Sequence, residues 1–345
     1  MTEQRNGNPT GRRETSFAFA LVLVVLAVAL VAAELIARFL GAVPFPTMTS
    51  GRHRWAQEDD VLGWANKPGT FLSHEDGKTP MTFWDDGRRA TRREALPSPQ
   101  VQKQVVLIGA SFTQGYGVRD DQTFAWQIDA ALPHASIENY GTGGYGTYQS
   151  LILLERLFET GRIEPDLVVY GFPYFTSGRN VAPYEWQVAL RLVGPQRYSP
   201  PHVVLENSRL ESRPPSALTN WPLEHRLAAV RAFHDSYNKW SLGDRDAMIV
   251  PATLQLLSRL RDTVERAGSR LLVAVLDGSA KNKEYGRFMK QNGIPYVDCT
   301  YPESVLSTPR LKIGGFGHPN QIPHAYWAVC IGERIEFELR PTESG

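Results

Sequence analysis

A chain of 345 residues, 42% of them hydrophobic and 21% charged, with a formal net charge of +1, holds enough material for one large domain or two small ones. No long basic run with interleaved aromatics accompanies that near-neutral charge, which sets nucleic acid aside as a partner. The two cysteines, Cys299 and Cys330, suit either a disulfide in an exported domain or a pair of buried thiols; CxxC, HExxH and EF-hand spacings are all missing, so no metal site is expected.

From Phe17 to Ala33 the sequence is apolar without interruption, and past Glu34 it continues through Leu35, Ile36 and Ala37. Roughly 20 such residues make about 30 Å of helix, the thickness of a bilayer's hydrocarbon core, so one membrane-spanning anchor is predicted over 17–40. A cleaved secretory signal ending near Ala32 and Ala33 is the competing reading, but its apolar region usually runs only about 7 to 15 residues. Arg5, Arg12 and Arg13 before the segment face Arg38, Arg52 and Arg54 after it, so charge leaves the orientation nearly balanced. A tail at 1–16 precedes the anchor. A Pro- and Gly-containing linker and a turn-rich lead-in occupy 41–104, the lead-in reading as a segment packed on something else.

A regular alternation fills 105–340. Val105 to Ile108, "SIENY", "DLVVYGF", "RLLVAVLDG" and "IPYVDC" read as strands; "TFAWQIDAAL", "TYQSLILLERLFETG", "VPATLQLLSRLRDTVERAG" and "IPHAYWAVCIGERIEF" read as helices. Such βα units imply a parallel sheet covered by helices on both faces. An insertion at about 181–246, with Trp186, Trp221 and Trp240, breaks the rhythm and reads as a mini-core under a long excursion, with a ligand cage as the alternative.

Ligands of open parallel sheets sit beyond the carboxyl ends of the strands, and Ser111 stands just there, after "VVLIGA". Its surroundings are not GxSxG, and a helix N-cap is the bland role for such a serine. "NYGTGGYGTYQ" satisfies GxGxxG through Gly141, Gly143 and Gly146, with Asp166 20 residues beyond Gly146. That acid begins its strand where a ribose-binding acid ends one, so a dinucleotide site is disfavoured and no cofactor is expected. Glycines here would instead let backbone N–H groups approach a developing negative charge. His318, in "GFGHPNQIPH", is held on a Gly-rich loop before the last helix.

In order and context, "GASFTQGYGV", "NYGTGGYGTYQ" and "GHPNQIPH" resemble the three blocks of the SGNH, or GDSL, hydrolases; "LGWANKPG" and "FWDDGRR" resemble lead-in elements of membrane-anchored bacterial members. The resemblance implies a flavodoxin-like three-layer α/β/α sandwich of about five parallel strands behind one transmembrane helix. It also implies Ser111 as nucleophile, His318 as general base, and the N–H groups of Ser111 and Gly144 as oxyanion hole. Three family positions differ: Ala110 precedes the serine, Phe175 stands where an Asn belongs, and Gly315 and Phe316 stand where an Asp belongs. Asn180 or Ser177 could replace the donor; Asp298, or a backbone carbonyl at Gly314 or Gly315, could replace the acid. The implied protein is an extracytoplasmic, membrane-anchored serine esterase or O-acyltransferase acting on ester-bearing carbohydrate or lipid of the cell envelope. The alternative is an inactive relative that binds a glycan or a protein.

Overall fold

The computed structural model describes residues 9–46, 55–73, 75–97, 101–193, 198–277, 282–315 and 317–340; Arg5, Arg52, Arg54 and Phe316 lie outside them. Helix α1 (Pro9–Phe39) carries the apolar segment, and its stretch Ser16–Phe39 is long and apolar enough to cross a membrane. Two antiparallel hairpins follow, β1 (Ala56–Asp59) with β2 (Gly63–Asn66) and β3 (Gly69–Leu72) with β4 (Pro80–Phe83). The turn-rich sequence of this stretch marks no strands. Trp55, Trp64, Met81 and Phe83 of this segment share a buried cluster with Tyr116 and Tyr145. The lead-in therefore has no core of its own and is built into the sheet domain.

The alternation then runs β5 (Lys103–Gly109), a single helical turn α2 (Ser111–Gln114), α3 (Phe124–Ala131), β6 (Ala135–Asn139), α4 (Thr147–Glu159) and β7 (Leu167–Phe172). The excursion contributes α5 (Tyr184–Val193), a hairpin of β8 (His202–Glu206) and β9 (Arg209–Arg213), and α6 (Ala228–Leu242). After it come α7 (Ile249–Arg266), β10 (Arg270–Val275), α8 (Asn282–Gln291), β11 (Tyr296–Asp298) and α9 (Gln321–Leu339). Helix α8 was not anticipated, because only Tyr285, Phe288 and Met289 of its ten residues are apolar and Gly286 interrupts them.

The strand order is β11-β10-β7-β5-β6, with every pair parallel. Read from the other edge it is the flavodoxin-like order, as expected. Side-chain alternation assigns the layers. Val106, Ile108, Val168, Tyr170 and Val273 pack with α4 and α7 on one face, while Val105, Leu107, Val169, Leu272 and Ala274 pack with α3 and α9 on the other. The order of strands reverses between β5 and β7, so the carboxyl end of β5 opens onto the crevice where such sheets bind ligands.

The chain divides into two compact units, Met1–Thr47 with Leu218–Gly243, and Met48–Ala217 with Asp244–Gly345. Part of the stretch expected as one insertion at about 181–246, Leu218–Gly243 with α6, thus groups with α1. One link between them is Glu34, whose carboxylate accepts the N–H groups of Ala228 at 3.0 Å and Ala229 at 2.9 Å and so satisfies the first donors of α6. Cys299 and Cys330, left open by the sequence, form a disulfide joining the end of β11 to α9.

Asp277, after β10, is buried and accepts the N–H of Tyr174 at 2.7 Å; desolvation pushes its carboxyl up to about 7. A folded value above the unfolded one means a contribution fully present below about pH 4 and lost as pH rises through about 7. Asp277→Asn should therefore remove a decline in melting temperature that the parent chain shows between pH 5 and pH 8. Parallel melting curves for the two chains across that range would refute the assignment.

Candidate active site

Strand β5 delivers Ser111 to the crevice through a tight turn. The N-cap of α2 is Ala110, whose side chain makes no capping bond, and Ser111 occupies the first helical position. The serine is buried, and among the described residues its hydroxyl has no protein partner. It is not a cap, so the bland role for this residue falls away. The turn is held from outside: Asn139 Nδ2 donates to the Thr113 carbonyl at 2.7 Å. Arg89, fully buried, donates through Nη1 to Gly115 O at 3.2 Å and through Nη2 to Val118 O at 2.8 Å, with Nε on Asp120 at 2.9 Å. Burial lowers the Arg89 pKa, and Asp120 keeps the cation paired.

The loop after β6 approaches the same place. Trp64 Nε1 donates to the Gly143 carbonyl at 2.9 Å. A trans peptide points its N–H opposite to its carbonyl, so this one indole bond also fixes the direction of the Gly144 N–H. Gly144 has φ +88°, and a Cβ there would sit 2.9 Å from the Trp64 ring, which leaves glycine as the residue that fits. Among the described residues the Gly144 N–H donates to no protein acceptor.

His318 is held by a residue that sequence reasoning missed. Glu75, in the loop between β3 and β4, accepts from the His318 N–H at 3.0 and 2.9 Å and from the ring Nδ1. A carboxylate only accepts, so Nδ1 carries a proton, and in the neutral imidazole Nε2 is then the bare, accepting nitrogen. Gly317 makes the approach possible, because a Cβ there would lie 2.4 Å from Glu75 Oε2. The imidazole also packs on Tyr116, with ring centroids 4.8 Å apart. Nothing in the local sequence marks Glu75, which is 243 residues from its partner and sits in a polar turn.

Ser111, Gly144 and His318 line one cavity of about 210 Å³, together with Trp55, Trp64, Tyr116, Gly143, Arg179, Trp186, Leu190 and Tyr198. The structure thus brings together the three principal residues named from the sequence. Arg179, also missed, places a guanidinium on this mainly aromatic wall; it stacks on Trp186 at 4.6 Å and Phe175 at 5.3 Å and donates to Tyr145 O at 3.0 Å. Desolvation lowers its pKa to about 10, which leaves it a cation at neutral pH. Trp186, read as part of a mini-core with a ligand cage as the alternative, packs against the buried cluster that holds Trp64 and Tyr198 and also lines the cavity.

The proposed substitutes lie elsewhere. Asn180 is buried beside the start of α4, where its Oδ1 accepts the Tyr148 N–H at 2.9 Å and its Nδ2 donates to Thr253 at 2.9 Å and to Thr147 at 3.3 Å; both its N–H groups are thus engaged away from a substrate. Ser177 is buried against Tyr285. Asp298 ends β11 and accepts from Thr300 N at 3.0 Å. The acid beside the imidazole is Glu75, in place of Asp298 or a carbonyl at Gly314 or Gly315. Phe175, at the family's Asn position, packs on Phe112 with centroids 5.2 Å apart. His324, the second histidine of its block, is buried with its Nδ1 accepting from Phe124 N at 3.3 Å, and desolvation holds its pKa near 3, so it serves as a neutral core contact between α9 and α3.

No protein-family model and no curated protein matches the chain. Solved structures do resemble it. TesA is 12% identical with a TM-score of 0.40, covering 69% of this chain and 100% of that one. A lipolytic protein of the G-D-S-L family from Veillonella parvula is 10% identical with a TM-score of 0.37, covering 67% and 96%. A catalytic mutant of Axe2, an acetylxylan esterase from Geobacillus stearothermophilus, is 14% identical with a TM-score of 0.36, covering 70% and 98%.

Since Ser111 caps nothing, Ser111→Ala should leave the unfolding free energy within about 1 kcal/mol of the parent chain. A loss of about 2 kcal/mol in denaturant melts, at the upper end for a deleted N-cap, would restore the structural role.

Proposed function

We propose that this chain is a membrane-anchored, extracytoplasmic serine esterase or O-acyltransferase that works through an acyl-serine intermediate on ester-bearing carbohydrate or lipid of the cell envelope. The observation that carries the reading is the Glu75 carboxylate on His318 Nδ1, which leaves Nε2 as a base on the wall shared with Ser111. A serine hydroxyl is a weak nucleophile until such a base takes its proton. In the proposed reaction, Ser111 Oγ attacks the ester carbonyl carbon as its proton passes to Nε2. The N–H groups of Ser111 and Gly144 meet the resulting oxyanion. Collapse expels the alcohol, which takes the proton back from Nε2 and leaves Ser111 acylated. Water or a second hydroxyl then repeats the sequence in reverse and frees the serine.

At about 210 Å³ the cavity is smaller than the roughly 300–1,000 Å³ that encloses a drug-sized ligand, which favours a short acyl group with the ring or chain end that bears it. The aromatic walls suit the apolar face of a sugar or an acyl chain equally, and Arg179 gives the same cavity a cationic side chain. The Cys299–Cys330 disulfide supports an oxidising, extracytoplasmic setting, and the apolar Ser16–Phe39 stretch supports the anchor.

The purified full chain should turn over acetyl esters faster than long-chain ones, with a polysaccharide acceptor deciding between hydrolysis and transfer by the product formed. Glu75→Gln should lower kcat by about 10⁴-fold, the cost seen when the acid of a comparable triad is neutralised. Gly317→Ala should lower it in the same direction, because its methyl group displaces the carboxylate. Unchanged turnover in Glu75→Gln would remove the basis of this reading.

A further inference from the structure

The anchor's unit holds a surface that the catalytic reading does not use. Helix α6 begins against the end of α1: Glu34 accepts the N–H groups of Ala228 and Ala229, and Arg38 donates to Glu34 at 2.6 Å and to Arg226 O at 3.4 Å. Just beyond α1, the Phe45 N–H donates to Glu224 O at 2.8 Å, His225 Nδ1 meets Phe45 O at 3.0 Å, and the Arg231 guanidinium lies 4.4 Å over the Phe45 ring. Glu34 is five residues, or about 7 Å of helix, before the end of the apolar stretch at Phe39. The start of α6 is therefore fixed at the depth where hydrocarbon gives way to headgroups.

From there α6 presents Phe233, Tyr237 and Trp240, spaced i, i+4 and i+7 on one face and 64%, 47% and 78% exposed. Trp221 joins them, with ring centroids 5.5 Å from Phe233 and 5.6 Å from Tyr237, and Leu223 is 54% exposed beside it. A continuous exposed aromatic face of this kind marks an interaction surface in a water-soluble unit. Trp and Tyr are the residues enriched where membranes meet water, and an amphipathic helix lying in that plane buries its apolar face about 5–10 Å deep.

We infer that the face of α6 formed by Phe233, Tyr237 and Trp240 lies in the interfacial layer of the same bilayer that α1 crosses, so that the chain holds its membrane by a span and a surface helix together. The occupant of the face is lipid, since the pairing of Glu34 with the start of α6 sets the helix at the membrane boundary. The inference rests on the reading of Ser16–Phe39 as a span. It also gives Glu34 its place: a carboxylate in an apolar helix is tolerated because a helix N-terminus and an arginine meet it.

The test uses the full chain in phosphatidylcholine vesicles whose acyl chains carry bromine either close to the headgroup or close to the chain end. The fluorescence difference between the parent chain and Trp240→Phe isolates Trp240, and Phe233→Trp supplies a second probe on the same face. Both probes should be quenched by the shallow bromine more than by the deep one, be shifted to shorter wavelength, and be protected from aqueous iodide. Probes open to iodide and indifferent to bromolipid would overturn the inference by placing the face in water. Probes protected from both quenchers would overturn it in favour of a second copy or another protein. Carbonate extraction of the same vesicles reports on the span independently: a chain that is released but still quenched by shallow bromine has lost the anchor reading and kept the surface one.

Discussion

An imidazole serves as a base toward a serine only when one nitrogen is kept protonated and the other bare, and here that constraint is met by a carboxylate from the far side of the sequence. Glu75 accepts from His318 at both the backbone N–H and Nδ1. The backbone bonds fix where the loop carrying the histidine stands, and the ring contact fixes which nitrogen faces the cavity. Gly317 and the hairpin loop of β3–β4 are both needed for the contact, since one supplies the space and the other the acid.

The lead-in segment is consequently part of the site. Trp64 sets the peptide that bears the Gly144 N–H, Asn66 accepts from Gln114 Nε2 at 2.7 Å at the end of α2, and Arg89 pins the chain that follows Ser111. Each reaches across from residues 64–89 to a turn at a strand's carboxyl end. A site assembled this way is stiff because its parts share the buried cluster of Trp55, Trp64, Tyr116 and Tyr145, and a preorganised site of this kind needs little rearrangement during reaction.

Much of this was legible in the sequence where the signal is periodic or local. Apolar runs of β5, β7 and β10 and the long amphipathic α4 and α7 give the alternation, and the parallel sheet follows from it. Ser111, Gly144 and His318 stand in recognisable local contexts and line one cavity. Glu75 and Arg179 were not legible, because their roles depend on tertiary contacts that no spacing rule expresses. Asn180 and Asp298 were suggested by residue type, but Asn180 is taken up by Tyr148 and Thr253, and the acid on His318 is Glu75 rather than Asp298. The partition of the excursion was hidden for a similar reason: it rests on tertiary contacts such as the Glu34 carboxylate on Ala228 and Ala229 and Phe45 on Glu224, and Glu34 reads in sequence only as a blemish in an apolar run.

The central claim, that Ser111 is a nucleophile activated by His318 and Glu75, is tested most directly by covalent labelling of the folded full chain with a fluorophosphonate, located by peptide mass. The account expects one adduct, on the peptide containing Ser111, absent from Ser111→Ala and formed more slowly in Glu75→Gln. A folded parent chain that takes no label, or a label that persists in Ser111→Ala, would contradict it.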